Sequence, residues 1–391
     1  MVVLAIAMTV FKTALLGLGA LMALNLPGTS QAEQWKLTSA PPLDWIAVAS
    51  SADGNKLVAA EAIGLIYTST NAGATWAVAG APSTVWNSVA SSADGTRLVA
   101  IRSTGRSIYL STNSGATWSQ KTIPNQHWAE VASSADGARL VVTSGVSLLS
   151  SSDFGATWTN YSVPALRIAM CADGSKLVAE GQGPDSPVYV STNSGATWNA
   201  TSAINDYPGG VAISADGTRM VAASYTFDIG GPVYTSRDSG TTWTIADVPN
   251  DYWDSVACSA DGTKMAAVGG LAYVSTDSGR TWSVTDYYTG AVTRLASSAD
   301  GCRLVAASYT KGIYIRETTP QPVLTITPAG DDVVVSWIIP SQPFILQQSS
   351  DLVAADWTDV TTPPVLNCSN LHHEVTLPAP TGPMFYRLKS Q

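Results

Sequence analysis

The chain has 391 residues, and its 20 Lys and Arg against 29 Asp and Glu give a net charge of −9. Only 13% of residues are charged, half of the roughly 25% found in an ordinary soluble domain. Such a length buries a large core without a disulfide scaffold, and the acidic balance excludes the basic patch a nucleic-acid binder needs. The four cysteines (Cys171, Cys258, Cys302 and Cys368) are too few for a disulfide framework.

Residues 1–32 read as a secretory leader. Lys12 is the sole charge before Glu33, an apolar stretch runs from Ala14 to Leu26, and Ser30-Gln31-Ala32 fits a small-x-small cleavage site. Val2–Val10 is also apolar, which leaves a retained anchor as the other reading. No later stretch is long and apolar enough for a spanning helix. The expected location is therefore secreted, periplasmic or cell-surface, as a monomer with no stable membrane insertion after cleavage, and with free, buried cysteines.

A repeat then takes over, and repeats of 20–50 residues decide architecture. Ala-Asp-Gly preceded by Ser or Cys recurs at Asp53, Asp94, Asp136, Asp173, Asp216, Asp261 and Asp300. Interleaved with it is Ser-x-Asx-x-Gly-x-Thr-Trp, with its Asx at Asn71, Asn113, Asp153, Asn193, Asp238 and Asp277, and its Trp at Trp76, Trp118, Trp158, Trp198, Trp243 and Trp282. Runs rich in Val, Ile, Tyr and Thr lie between these motifs and read as strands. Each unit reads as strand A, Ala-Asp-Gly turn, strand B, loop, strand C, second motif, strand D. Four antiparallel strands in about 42 residues is the unit of a β-propeller blade. The expected fold is all-β, a seven-bladed β-propeller over residues 33–317. The seventh unit lacks the second motif. Trp35 stands 10 residues before Trp45, as Trp76 stands before Trp86, so Gln34–Ser39 is read as the missing strand D that closes the ring and removes an exposed sheet edge.

The second motif resembles the Asp-box, or BNR repeat, of sialidase-like and photosystem II assembly-factor-like propellers. The resemblance implies a turn between strands C and D. An Asp or Asn side chain accepts from nearby backbone N–H groups, Gly supplies φ > 0, and Trp caps the apolar seam. Six equivalent boxes are read as folding devices rather than calcium or glycan sites. Asp-Gly between β-rich runs is likewise a hairpin signal. Both turn types share one face, so binding is expected on the other. There the B–C loops vary in length, and those near Glu180–Pro187 and Tyr225–Pro232 are longest. Candidate ligand residues on that face are His127, Tyr207, Tyr225, Tyr252, Tyr287, Tyr288 and Tyr309, suited to a glycan or a peptide. Trp45, Trp86, Trp128 and Trp253 share one repeat position and are read as packing between units.

Thr318–Pro322 is a linker, and residues 323–391 suggest a small β-sandwich accessory domain that looks fibronectin-III-like, on Trp337 and Tyr386. His372-His373-Glu374 is a weak metal candidate, because neighbours on a strand point to opposite faces.

Sialidase-type hydrolysis requires an arginine cluster that grips carboxylate bidentately. The family's Phe/Tyr-Arg-Ile-Pro motif finds only Leu166-Arg167-Ile168-Ala169, in the wrong unit, and Arg102 and Arg106 form the one close arginine pair expected on the loop face. No triad, phosphate loop or dinucleotide fingerprint occurs in context. The expectation is a non-catalytic binding or assembly scaffold, with a lectin-like propeller as alternative, and with no cofactor and no metal.

Overall fold

The computed structural model describes residues 34–124, 127–181, 183, 185–205, 207–226, 229–285, 292–309, 311–352 and 356–391. The expected leader, residues 1–32, lies outside them. Every regular element among the described residues is a β-strand, organised into many small antiparallel sheets.

Seven of these sheets follow the repeat. The first runs Trp45–Ser50, Leu57–Glu61, Ile66–Ser69, Ala77–Val78. The fourth and fifth begin with Ala165–Met170 and Tyr207–Ile213, the sixth with Ser255–Cys258. The seventh consists of Val292–Ser297, Arg303–Ser308 and Gly312–Glu317, and its fourth strand comes from the other end of the chain. Lys36–Leu37 pairs antiparallel to Gly312–Glu317, with Lys36 opposite Ile315 and Leu37 opposite Tyr314. Trp35 follows into the same seam, packed with Val274 and Tyr314, and its indole N–H donates to Thr285 Oγ1 at 3.3 Å.

The alanine of each Ala-Asp-Gly turn links one sheet to the next. The N–H of Ala52 donates to the carbonyl of Ala93 at 2.8 Å, Ala93 to Ala135 at 2.7 Å, Ala135 to Ala172 at 2.8 Å and Ala172 to Ala215 at 3.0 Å. Ala215 then donates to Ala260, Ala260 to Ala299, and Ala299 back to Ala52, each at 2.7 Å. The seven bonds form a closed cycle.

Apolar clusters fill the seams between consecutive sheets. One joins Ala47, Val58 and Ile66 of the first sheet to Trp86, Val89 and Leu98 of the second. Trp45, Trp86, Trp128 and Trp253 are fully buried in these seams. The indole N–H of Trp86 donates to Gly64 O, and that of Trp253 to Gly231 O. Burying an indole this way contributes apolar area at about 25 cal/mol per Å² while its polar edge stays paired.

The second motif is a hydrogen-bonded turn. In the box of Asp153, Ser151 Oγ donates to Asp153 Oδ1 at 2.8 Å, Thr157 N to the same oxygen at 2.8 Å, and Thr157 Oγ1 to Oδ2 at 2.6 Å. The Asn boxes reverse one bond: Asn71 Nδ2 donates to Thr75 Oγ1 at 2.9 Å. Gly155 is left-handed at φ 76°, and so is the residue before it, Phe154, at φ 54°. The box tryptophan folds back onto its own glycine, as Trp158 Nε1 does on Gly155 O at 3.2 Å. Trp76 is the exception, with a buried Nε1 that has no partner among the described residues.

Beyond Thr318 the chain forms a four-stranded sheet (Thr325–Ala329, Asp332–Ile338, His372–Pro378, Val365–Asn367) and a three-stranded one (Thr358–Asp359, Phe344–Ser349, Phe385–Ser390). Both contribute to one apolar cluster containing Val335, Trp337, Val375, Tyr386 and Leu388. This module sits on the ring. Ile339 joins the ring alanines in a buried cluster, with Ile338, Leu366, Cys368 and Leu371 packed against it. Leu371, left-handed at φ 57°, lines a cavity of about 160 Å³ inside the ring. The Ala-Asp-Gly end of the axis is therefore covered by apolar side chains.

The cysteines are free, but the expectation that all are buried holds only for Cys171 and Cys302; Cys258 and Cys368 are partly exposed. Cys171 stands where other units have Ser, and it does the serine's work: Lys176 N donates to its sulfur at 3.1 Å, and its thiol donates to Asp173 Oδ1 at 3.0 Å.

Candidate functional site: an arginine pair at the axial mouth

Each strand A runs toward its Ala-Asp-Gly turn, so its first residues lie at the opposite end of the axis. The residue six places before the turn Asp is Ala47, Ser88, Glu130, Arg167, Gly210, Ser255 or Arg294 in the seven units. These residues line one cavity of about 110 Å³. Small residues on four strands leave room, and three strands supply charge.

Arg294 Nε lies 3.4 Å from Glu130 Oε1, and its Nη1 donates to Thr293 O at 2.9 Å. Glu130 spends its other oxygen on the backbone, accepting from Ile168 N at 2.8 Å. Arg167, one residue before Ile168, is thereby held at the same mouth. Its Nε is buried and has no hydrogen-bond partner among the described residues. Leaving a buried donor unpaired costs about 1–3 kcal/mol. Burial, and next the neighbouring Arg167 charge, lower the Arg294 pKa to about 10, against the pull of Glu130 and Asp254. The Arg294 guanidinium therefore stays charged at neutral pH. Asp254 is the second acid at the mouth. Burial raises its pKa to about 6, Arg167 pulls it down, Asp251 pushes it up and Arg294 pulls it down again. A buried glutamate, Glu180, accepts from Gly210 N at 3.0 Å, which fixes the backbone of the fifth strand A.

On the rim beside this mouth stand three of the expected tyrosines. Tyr207 and Tyr225 are register partners across two strands, with ring centroids 5.6 Å apart and planes at 23°. Tyr252 lies 6.3 Å from Tyr225. Cross-strand aromatic pairs of this geometry hold one another. Tyr207 is three residues from Gly210, roughly 10 Å along a strand, and Tyr252 is two residues from Asp254.

Several expectations need correction. Tyr207 and Tyr225 are not loop residues: they open and close the strands Tyr207–Ile213 and Met220–Tyr225. The long B–C loops shorten accordingly, because Glu180 and Gly181 end one strand and Ser186–Ser191 is the next. His127, at φ 67°, and Tyr309 are exposed, and no ring contact joins either to the tyrosine trio among the described residues. Tyr287 and Tyr288 lie outside the described residues. Of the close sequence pair, Arg102 ends a strand with a buried Nε, and Arg106 is exposed. The pair that meets is Arg167 and Arg294. The signal was present in the repeat register, as charge at a position otherwise held by small residues.

In the C-terminal module, His373 faces Trp337 edge-on at 5.8 Å, and Glu374 Oε1 accepts from Asn367 and Asn370. These polar groups serve the sheet. Among the described residues, no group of three or more His, Cys, Asp and Glu is arranged to hold a metal, and no helix is long and apolar enough to cross a membrane. No protein-family model matches the chain, and no curated protein matches it by sequence.

Proposed function

We propose that residues 33–317 form a seven-bladed β-propeller of the Asp-box type closed by its N-terminal strand, that residues 323–391 form a β-sandwich seated on its turn face, and that the protein is a non-catalytic extracytoplasmic module that binds an acidic glycan at the loop face. The closed cycle of seven alanine hydrogen bonds and the pairing of Lys36–Leu37 with the last repeat sheet support the architecture. The carrying observation for function is the buried, unpartnered Nε of Arg167 beside Arg294 at a solvent-connected cavity. Two guanidinium groups with spare donors suit a carboxylate, which accepts two parallel N–H bonds. The tyrosine trio, whose Tyr207 is three residues from Gly210 of the mouth, offers faces and hydroxyls to a sugar ring. A binding role is favoured over hydrolysis because the nearest glutamates, Glu130 and Glu180, are tied to backbone N–H groups.

The test is calorimetric titration with hexuronic-acid oligomers and with the matching neutral oligomers. Acidic oligomers are expected to bind, and neutral ones to bind at least about tenfold more weakly, as loss of one charge-assisted hydrogen bond implies. Arg167→Met should remove the preference for acid, and Tyr225→Ala should weaken both. Equal affinity for acidic and neutral oligomers would overturn the reading.

A further inference from the structure

A cavity of about 290 Å³ lies neither at the axial mouth nor within the ring but in the seam between the sixth and seventh repeat sheets. Its walls include Met265, Val274, Leu304, Lys264, Arg316 and Thr319. The repeat explains why it is there. Each box turn lies in the seam between its own sheet and the preceding one. A β-carbon added to Gly115 would meet Thr68 at 2.9 Å and Leu98 at 3.4 Å; one on Gly155 would meet Leu110 at 3.0 Å and Leu140 at 3.8 Å; one on Gly240 would meet Val190 at 2.6 Å and Met220 at 3.3 Å. The first residue of each pair comes from the third strand of the preceding sheet, three places before its Asx. The second comes from the turn's own sheet, four places after its turn Asp. Val274 and Leu304 hold these same two positions for the sixth and seventh sheets, where no box turn is present among the described residues.

The other seams also show how such a turn is gripped. In two seams the cation three places after the turn Asp reaches across to the residue that follows the box Asx of the following unit. Lys176 Nζ donates to Ser239 Oγ at 3.0 Å, and Arg139 Nη1 to Ser194 Oγ at 3.4 Å. Lys264 is the counterpart in the sixth sheet; it lines the cavity, and its ammonium donates to Asp300 O and Cys302 Sγ.

The geometry points to a second binding site here, which takes a Ser-x-Asp-x-Gly turn presented by a partner polypeptide. The occupant's chemistry follows six examples within the same molecule: glycine because the wall approaches within a β-carbon's reach, and serine with Asp or Asn because they hold the turn's own hydrogen bonds; of the two, Asp suits a rim bearing Lys264 and Arg316. The site is independent of the axial mouth.

A cyclic peptide enclosing Ser-Thr-Asp-Ser-Gly-Arg-Thr-Trp, the sequence of residues 275–282, is the probe, with NMR or calorimetric titration as the readout. Saturable binding to the protein is expected, weakened by about tenfold or more when the peptide's glycine is replaced by valine. Val274→Trp fills the seam and should abolish binding. Thr319→Trp, at an exposed wall position, should also block it without touching the core, and thermal melting checks that both variants fold. Arg167→Met should leave peptide binding unchanged. The inference is overturned if the peptide does not bind, if the valine peptide binds equally well, or if a folded Thr319→Trp variant binds as the parent does.

Discussion

Ser341 donates both its backbone N–H, at 2.6 Å, and its hydroxyl, at 2.9 Å, to a single oxygen of Asp300, Oδ2. That oxygen is free for the C-terminal module because of a substitution in the repeat. In other turns the residue two places after the Asp occupies Oδ2: Thr96 on Asp94, Thr218 on Asp216 and Thr263 on Asp261, each at 2.8 Å, and Asn55 on Asp53 at 2.9 Å. In the seventh unit that residue is Cys302: its N–H bonds Oδ1 as in those turns, but its sulfur accepts from Lys264 Nζ and leaves Oδ2 to Ser341. Cys302→Thr should therefore compete with Ser341. Ser341→Ala and Cys302→Thr are each expected to weaken the docking of the module by about 1 kcal/mol, read as faster proteolysis within residues 318–322 at unchanged far-UV circular dichroism. Unchanged cleavage in both would contradict this role.

Arg167→Met should behave unlike an ordinary buried substitution. It removes an unpaired buried donor and a like charge beside Arg294, so the expected change in melting temperature is zero or a small increase. Glu130→Ala should do the opposite. It strips Arg294 of its ion pair and Ile168 N of its acceptor, and breaking such a partly buried pair costs about 1–3 kcal/mol. Chemical denaturation of the two variants side by side checks the sign of each.

Anion binding at the mouth should depend on pH through Asp254. Its pKa is raised to about 6, chiefly by burial, so above pH 6 its carboxylate competes for the two arginines, and below it the competition fades. A ligand whose own carboxylate has an ordinary pKa stays ionised down to about pH 4. Affinity for hexuronic acid should rise as pH falls from 7 to 5, and Asp254→Asn should bind as tightly at pH 7 as the parent does at pH 5. A flat pH profile in the parent would exclude this competition.

The acidic boxes predict an acid limb of stability. Hydrogen bonds from Thr157 and Ser151 depress the Asp153 pKa from 3.8 to about 2, and those of Thr281 and Ser275 do the same for Asp277. A depressed folded-state pKa contributes stability that is complete above the unfolded value and fades as pH falls toward 2. Asp153→Asn, which reproduces the Asn71 type of box, should change melting little at pH 7. It should flatten the fall in melting temperature between pH 4 and pH 2. An unchanged slope would show that the Asp153 hydrogen bonds do not drive it.

Much of the framework was legible because the repeat states it seven times. Ala-Asp-Gly, the box residues and the orphan Trp35 each mark a turn or strand whose local chemistry is self-contained, and the pairing of Lys36 with Ile315 follows from counting. The tyrosine trio was half legible. Tyr207 and Tyr225 were singled out as loop residues, but a strand pair brings them together. The arginine pair was the least legible. Arg167 and Arg294 are 127 residues apart (294 − 167) and become neighbours through the ring, whereas sequence proximity shows only the pair Arg102 and Arg106. The seating of Leu371 and Ser341 on the ring was not visible either, because it depends on two surfaces that carry no shared motif.

The alanine cycle also has an electrostatic consequence. In a helix, aligned peptide dipoles leave partial charges at two ends. Here donors and acceptors follow one another head to tail around a closed circuit, so in-plane dipole components cancel and no end exists. Within its own plane the cycle then favours neither anions nor cations. Charge at the axial mouth therefore comes from side chains, Arg167 and Arg294 against Glu130 and Asp254, and one neutralising substitution among them shifts that balance by a single unit.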